Sequence, residues 1–87
     1  MITDPERAYL RTVGLRIRLL RTARQLSQDR LAEAAGVSRV TLGSIERGEH
    51  PAVLVTYVRL AAALDLRLPD LVDPDRDVFQ LLGNCSS

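Results

Sequence analysis

The middle of the chain carries two short helical patterns of hydrophobic residues, separated by a glycine. The apolar positions lie where two steeply crossing helices would contact each other and the rest of a small domain. They are Leu31, Ala32, Ala35, Val37, Leu42 and Ile45. Ser27 and Ser38 each precede a pattern and can cap its free N–H groups, and Gly36 suits a chain reversal that needs positive φ. We therefore predict helices over residues 28–35 and 39–47, joined by a tight turn.

The N-terminal part of the chain combines a helix start signal with a single apolar stripe. Thr3 can cap a helix, and Pro5 and Glu6 suit its first turn. The stripe recurs at helical spacing and consists of Leu10, Val13, Ile17 and Leu20. Gly14 lies within it and is unfavourable in a helix by about 1 kcal/mol relative to alanine. A break at this glycine would separate an N-terminal extension, residues 1–13, from the helix proper.

A fourth helix is predicted over about residues 52–64, after Gly48 ends the third. Its packing face carries apolar residues at helical spacing, namely Leu54, Tyr57 or Val58, Ala61 and Leu64. The segment is more apolar than a one-sided helix requires, so part of it is a candidate for an exposed patch that a partner covers. The candidates for this patch are Val53, Val55, Tyr57 and Leu60.

Two short helices are predicted near the C-terminus. Pro69 suits the start of a fifth helix over residues 68–72, and Asp73 with Pro74 repeats the cap-and-proline start signal. Gly83 suits the end of the resulting sixth helix. The apolar residues of this helix are Val78, Phe79, Leu81 and Leu82. They are too many for a free tail, so the helix is expected either to cover the core or to make a subunit contact.

The segment QDRLAEAAGVSRVTLGSIERG resembles the helix-turn-helix of the phage Cro/repressor family, also called the xenobiotic-response-element-like (XRE) family. A small residue at the helix crossing, the glycine of the turn, both serine caps and the ERG ending fall in register. The resemblance implies an all-α fold, with a compact five-helix repressor-like DNA-binding domain over residues 14–72. Residues 73–87 would add a short C-terminal helix and a tail.

The charge of the chain is unevenly distributed, although its net value is only +1. Residues 7 to 48 hold nine arginines against three acidic residues and carry +6, whereas residues 49 to 87 carry −3 and residues 1 to 6 carry −2. Positive charge therefore coincides with the helix-turn-helix pattern, as an electrostatic footprint for nucleic-acid phosphates would. The alternative explanation is a solvated amphipathic helix, which also carries many charges.

A length of 87 residues and a hydrophobic fraction of 46% indicate one globular domain. No apolar run approaches the roughly 20 residues of a membrane span, and the charged N-terminus lacks the apolar core of a signal peptide. We therefore expect a cytoplasmic protein with no membrane association. The single Cys85 cannot form an internal disulfide, and His50 has no neighbouring Cys or second His with which to bind a metal. No cofactor, metal site or catalytic residue set is predicted.

The third helix separates into two faces at about 100° per residue. Thr41, Leu42 and Ile45 fall on the side that is expected to pack. The opposite side is expected to face outward and consists of Arg39, Val40, Gly43, Ser44 and Arg47. This combination of two cations, a small apolar residue, a hydroxyl and a glycine is unusual for a plain solvent surface and suits the major groove of DNA.

Four residues of the outward face are predicted to contact bases. Arg39 suits bidentate binding to guanine O6 and N7, and the Val40 methyls suit a thymine methyl. Ser44 can bond a base edge or a phosphate. Gly43 either allows close approach of the helix to the groove or is a tolerated helix defect.

Four residues are predicted to contact DNA phosphates. Gln28 lies in the first turn of the second helix, from which its amide can reach a phosphate, and the resemblance implies this role. The alternative is that Gln28 is a polar surface residue that does not contact DNA. Arg47 at the end of the third helix is expected to hold a phosphate, and the resemblance adds Ser38 and Thr41. Glu49 in the following loop would repel a phosphate.

The resemblance also implies a structural ion pair between Arg21 of the first helix and Glu46 at the end of the third. Such a pair is partly buried, and removal of one partner leaves an uncompensated charge. The alternative is two independent surface charges.

The resulting hypothesis is a sequence-specific DNA-binding transcriptional regulator, and the resemblance to that family implies a repressor. A homodimer would place two third helices in successive major grooves about 34 Å apart, on a palindromic double-stranded operator. The alternative is an antitoxin-type module that binds and neutralises a toxin partner. An enzyme is the third class, and the sequence offers no paired carboxylates, Cys/His set or phosphate-binding glycine loop for it.

Overall fold

The computed structural model describes residues 1–49 and 51–83, and within these ranges it contains helices and no strand. The helices are α1 Asp4–Ala23, α2 Gln28–Ala35, α3 Arg39–Glu46, α4 Leu54–Ala63, α5 Leu68–Val72 and α6 Val78–Gly83. The predicted all-α fold is therefore confirmed. The predictions for His50 and Cys85 fall outside the described residues. In the part of the chain that is described, no helix is both long and apolar enough to cross a membrane.

The start of α1 is fixed by a reciprocal capping arrangement. Thr3 Oγ1 accepts a hydrogen bond from the Glu6 N–H at 3.3 Å, and Glu6 Oε1 accepts one from the Thr3 N–H at 2.9 Å. The hydrogen bond from the Thr3 N–H favours the ionised Glu6 carboxylate, and the Thr3 hydroxyl adds to this effect, so the pKa of Glu6 is lowered. The start signal in the sequence is confirmed.

Gly14 does not break α1, and the expectation of a break there is wrong. The helix continues to Ala23, and Gly14 is buried where α1 crosses the end of α3. A Cβ at this position would collide with the carbonyl oxygens of Ile45 and Glu46, the latter at 2.7 Å. The helix therefore accepts the propensity cost of glycine because only glycine allows this approach.

The connection between α2 and α3 follows the predicted turn. Gly36 caps α2 with φ of 71°, and the Val37 N–H donates to the Ala32 carbonyl at 3.0 Å. Ser27 Oγ accepts from the Arg30 N–H at 3.1 Å, and Ser38 Oγ accepts from the Thr41 N–H at 3.0 Å. These caps hold both helices of the motif at their N-termini.

The core is formed mainly by aliphatic side chains from the first five helices. Its largest fully buried members are Ile17, Leu20, Leu31, Leu42, Leu60, Leu64 and Leu71. In this arrangement α1 packs against α3, α5 and α6, while α2 packs against α3 and α4. The motif is thus held between α1 on one side and α4 on the other.

The structure corrects the predicted faces of α4. Leu60, a candidate for the exposed patch, is buried. Tyr57, a candidate both for that patch and for the packing face, is also buried, and its hydroxyl accepts from the Ala52 N–H at 3.3 Å. Leu54, predicted to pack, is 65% exposed because it lies at the first residue of α4 and borders an open groove. Val53 and Val55 are exposed, which agrees with their prediction as members of an exposed patch.

The C-terminal region packs on α1, and α6 begins later than predicted. Arg16 donates to the carbonyls of Asp70 at 3.3 Å and Asp73 at 3.0 Å, which satisfies the end of α5. Asp73 and Pro74 form a turn, and Asp77 Oδ1 instead accepts from the Phe79 N–H at the start of α6. Three apolar residues of α6 pack against the core, namely Val78, Leu81 and Leu82. Phe79 points away from it and is 78% exposed.

Candidate DNA-binding interface

The structure brings Arg21 and Glu46 together at the base of α3. Arg21 Nε lies 2.7 Å from Glu46 Oε2, and its NH2 donates to Oε1 at 3.1 Å, so the contact is bidentate. The two side chains are only 11% and 3% exposed. Arg21 NH1 also donates to the Leu26 carbonyl at 2.8 Å, which ties the end of α1 to the start of α2. The orientation of α3 against α1 and α2 is therefore stabilised by a charge pair that is mostly buried and that uses each nitrogen of the Arg21 guanidinium.

Gln28 joins the same network. Its amide nitrogen donates to Glu46 Oε1 at 3.1 Å, and the side chain is half-buried. This contact places the amide beside α3, and the sequence pattern gave no indication of it because the two residues lie 18 positions apart. Gln28 is thus held in place before any ligand arrives.

The outward face of α3 carries Val40 between two arginines. Val40 is 80% exposed, which leaves its methyl groups without packing partners in the monomer. A depression of about 180 Å³ beside it is lined by five of the eight residues predicted to contact DNA, namely Gln28, Arg39, Val40, Gly43 and Arg47. The first turn of α2 and the outward face of α3 therefore form one continuous surface.

Thr41 does not pack as its helical position predicted, and its side chain is exposed. It borders an open depression of about 270 Å³ between α3 and Pro51, where no other helix covers it. Its hydroxyl oxygen lies 2.8 Å from Ser38 Oγ, which also caps α3. Ser38 and Thr41 accordingly form one hydroxyl pair at the start of the helix.

Gly43 and Ser44 are less accessible than a freely outward-facing position would be. The Arg47 side chain lies over Gly43, and a Cβ there would be 3.1 Å from Arg47 NH1. Ser44 Oγ is buried, and within the described residues it has no hydrogen-bond partner. Both residues were expected to face outward. At Gly43 the difference arises because helical periodicity does not report where the long Arg47 side chain lies.

Each arginine of the face contacts an acid that the sequence analysis did not pair with it. Arg39 Nε lies 3.2 Å from Asp29 Oδ1, and Arg47 NH2 lies 3.0 Å from Glu49 Oε1. The hydrogen bond from Arg47 to Glu49, and the charge of Glu49, raise the pKa of the Arg47 guanidinium. Glu49 therefore neutralises part of the positive charge at this end of α3 in addition to opposing a phosphate.

A family profile described as a helix-turn-helix domain matches residues 12–74. The chain belongs to this family. The match covers most of the sequence and includes α2, α3 and the helices that hold them. The resemblance drawn from the sequence is thereby confirmed.

Curated relatives include regulators from three sources. The chain is 41% identical over 56 residues to control protein C.SmaI of Serratia marcescens, covering 64% of this chain and 67% of that protein. It is 41% identical over 61 residues to the immunity repressor protein of Bacillus phage phi105 and 36% identical over 64 residues to the HTH-type transcriptional regulator SutR of Escherichia coli strain K12. These matches cover 70% and 74% of this chain, but only 42% and 36% of those two proteins.

Solved structures give the same assignment. The restriction-modification controller protein C.AhdI from Aeromonas hydrophila matches with a TM-score of 0.72 and 44% identity, over 74% of this chain and 97% of that one. An HTH_3 family transcriptional regulator from Vibrio cholerae matches with a TM-score of 0.72 and 30% identity, over 79% and 39% of the two chains. The chain is a DNA-binding transcriptional regulator of the helix-turn-helix family, and the antitoxin alternative is not favoured.

Proposed function

We propose that this regulator is a dimeric repressor that inserts α3 into the major groove of a palindromic operator in the cytoplasm. The observation that carries the proposal is the 80% exposed Val40 between Arg39 and Arg47 on a helix that a buried ion pair holds from behind. A rigid helix with an apolar side chain and two flanking cations offers what base edges and phosphates require. The names of the relatives, a control protein and an immunity repressor, support a role in gene control.

Base recognition is assigned to the centre of this face. Arg39 would bind guanine O6 and N7, and Val40 would contact a thymine methyl. Close approach at Gly43 requires the Arg47 side chain to swing away, a movement that costs little because its guanidinium is exposed. Ser44 reaches DNA only if its hydroxyl turns outward.

Phosphate binding is assigned to the edges of the same face. Gln28 would bind through the second N–H of an amide that Glu46 already holds. At the start of α3, Ser38 and Thr41 share one hydrogen bond, so together they can still offer a hydroxyl donor. Arg47 would exchange Glu49 for a phosphate.

A dimer is proposed because a single α3 contacts one half-site only. One helix in one groove gives little affinity above the background of nonspecific phosphate binding, so two copies are needed for a specific site. The exposed apolar residues of α4 and α6 supply surface for such a contact.

Selection of bound duplexes from a random pool tests the proposal. The expected consensus is palindromic, with half-site centres about 34 Å apart, because α3 from each copy would read one groove. Failure to enrich any sequence would contradict specific recognition. A single, asymmetric half-site would contradict the proposed dimeric mode of binding.

Alanine variants on the selected site separate base from phosphate contacts. Arg39→Ala should cost about 1 to 3 kcal/mol on the cognate site and much less on random DNA, because it removes a base contact. Gln28→Ala and Arg47→Ala should weaken binding to all sequences similarly, and Arg47→Ala should lower the salt slope by about one. Fluorescence anisotropy over a range of salt concentrations measures both effects, with the exposed Arg59→Ala on α4 as control. If Arg39→Ala lowered the affinity for cognate and random DNA equally, Arg39 would contact a phosphate and not a base.

A further inference from the structure

Asp29 is an acidic residue that contacts the proposed base-reading surface, and its contact with Arg39 joins the two helices of the motif. It lies in the first turn of α2, and Arg39 is the first residue of α3. Asp29 Oδ1 is 3.2 Å from Arg39 Nε, and the two side chains are 76% and 65% exposed. Water screens ion pairs that are this exposed, so the contact adds little to folding stability.

The atoms used in this contact leave the base-binding end of the arginine available. A guanine presents O6 and N7, and an arginine binds both with two parallel N–H donors. The shortest contact of Asp29 is with Arg39 Nε, and within the described residues the terminal nitrogens of Arg39, NH1 and NH2, donate no hydrogen bond. The guanidinium is therefore restrained at its inner nitrogen while its two terminal nitrogens remain available to a ligand.

Arg47 shows the contrasting arrangement on the same face. Glu49 contacts the terminal NH2 of Arg47 at 3.0 Å, so a phosphate that binds this nitrogen would displace the carboxylate. Asp29 does not have to leave when Arg39 binds guanine, and its negative charge opposes a phosphate at the same place. The two acids thus have different consequences for DNA binding.

We infer that Asp29 is a positioning residue for base recognition, which orients Arg39 toward guanine and disfavours its use as a nonspecific phosphate contact. When DNA excludes water from this surface, the Asp29 to Arg39 attraction strengthens because the local dielectric falls. The inference rests on the proposed role of Arg39 in reading a base. It adds Asp29, which contacts no base itself, to the residues that set specificity.

The test compares Asp29→Asn with the wild-type chain on three duplexes: the selected operator, the operator with the guanine read by Arg39 replaced, and a random sequence. A bidentate arginine contact discriminates between bases by roughly 5- to 150-fold. Asp29→Asn keeps the shape of the side chain and removes its charge, so discrimination at this one base pair should fall several-fold. Affinity for the random duplex should rise or stay unchanged, because an acid is removed from a DNA-facing surface.

Glu33→Gln is the matched control, since Glu33 is exposed on the same helix and the net charge changes equally. It should change affinity for all three duplexes by the same factor and leave discrimination intact. In an Arg39→Ala background, Asp29→Asn should no longer alter discrimination at the guanine. Circular dichroism of each variant establishes that the fold is retained.

The outcomes separate this inference from the proposed function. If Asp29→Asn behaves like Glu33→Gln, Asp29 contributes only net charge and the inference is overturned. If Asp29→Asn raises discrimination, the carboxylate competes with guanine for Arg39, and the inference is also overturned. If Arg39→Ala leaves discrimination unchanged, the assignment of Arg39 to a base fails first, and the inference fails with it.

Discussion

Ser38, the N-cap of α3, and Ser44, within α3, differ in the hydrogen bonding of their side chains. Ser38 Oγ accepts from the Thr41 N–H and lies 2.8 Å from Thr41 Oγ1, so it is well satisfied. Ser44 Oγ is buried with no partner in the described part of the chain. A buried hydroxyl that lacks a partner costs about 1 to 3 kcal/mol of desolvation. In the described part of the chain, the Ser44 hydroxyl therefore makes no hydrogen bond that stabilises the fold.

Ser44→Ala and Ser38→Ala should consequently change stability in opposite directions. Ser44→Ala should leave the free energy of unfolding unchanged or raise it by about 1 kcal/mol, because it removes an unsatisfied hydroxyl and favours the helix. Ser38→Ala should lower it by about 1 kcal/mol through loss of the cap. Urea unfolding measures both, and operator affinity should fall for Ser44→Ala despite its stability. A loss of stability for Ser44→Ala as large as for Ser38→Ala would mean that the hydroxyl has a partner in solution.

Gly14 and Gly43 both lie in the interior of a helix, but the packing around them differs. Gly14 of α1 lies against backbone oxygens of Ile45 and Glu46, which cannot move without shifting α3. Gly43 of α3 has only the end of the flexible Arg47 side chain nearby. Glycine lowers helix propensity equally at both positions. Close packing of the helices compensates for this cost at Gly14, whereas no packing against another helix does so at Gly43.

Alanine at each of these positions distinguishes the two roles. Gly14→Ala should lower the free energy of unfolding by about 1 to 3 kcal/mol, because overpacking outweighs the gain in propensity. Gly43→Ala should raise it by up to about 1 kcal/mol, since Arg47 can move aside. Thermal and urea unfolding measure these changes. Gly43→Ala should nevertheless bind the operator more weakly if the helix approaches the groove there, whereas unchanged binding would identify Gly43 as a tolerated helix defect.

One side of α6 packs against the core of the domain, and its other side is exposed. Val78, Leu81 and Leu82 pack toward the core, and α6 contacts α1. Phe79 remains exposed on the outer side, as do Leu54, Val55 and Val58 of α4. A large exposed aromatic side chain on a short helix that is otherwise packed is suited to a subunit contact.

Truncation and point substitution separate these roles. A chain that ends at Asp73 should remain helical, be less stable, and shift from dimer toward monomer with lower operator affinity. Phe79→Ala should change stability by no more than about 0.5 kcal/mol, because Phe79 is exposed, yet weaken the dimer. Sedimentation with circular dichroism measures both properties. A dimer unaffected by Phe79→Ala would place the interface on α4, and an unfolded truncated chain would make α6 part of the core.

The helix order, the turn at Gly36 and the caps of the first three helices could be predicted from the sequence, whereas the start of α6 could not. These features depend on residues within about four positions of one another, through side-chain caps, helical periodicity and the positive φ available to Gly36. Ser27, Ser38 and Thr3 could therefore be assigned as caps from local pattern alone. The pairing of Arg21 with Glu46 did not come from pattern, because 25 positions separate them; only the family resemblance suggested it.

Tertiary structure alone decided which surfaces of these helices are covered and what each charged group contacts. It placed Gly14 against α3, buried Tyr57 and Leu60 instead of Leu54, and set Gln28 on Glu46 and Asp29 beside Arg39. Each of these outcomes depends on the crossing of helices that are distant in sequence. Periodicity gives the direction of a side chain around its own helix, but exposure and electrostatic partners depend on what the rest of the chain brings opposite to it.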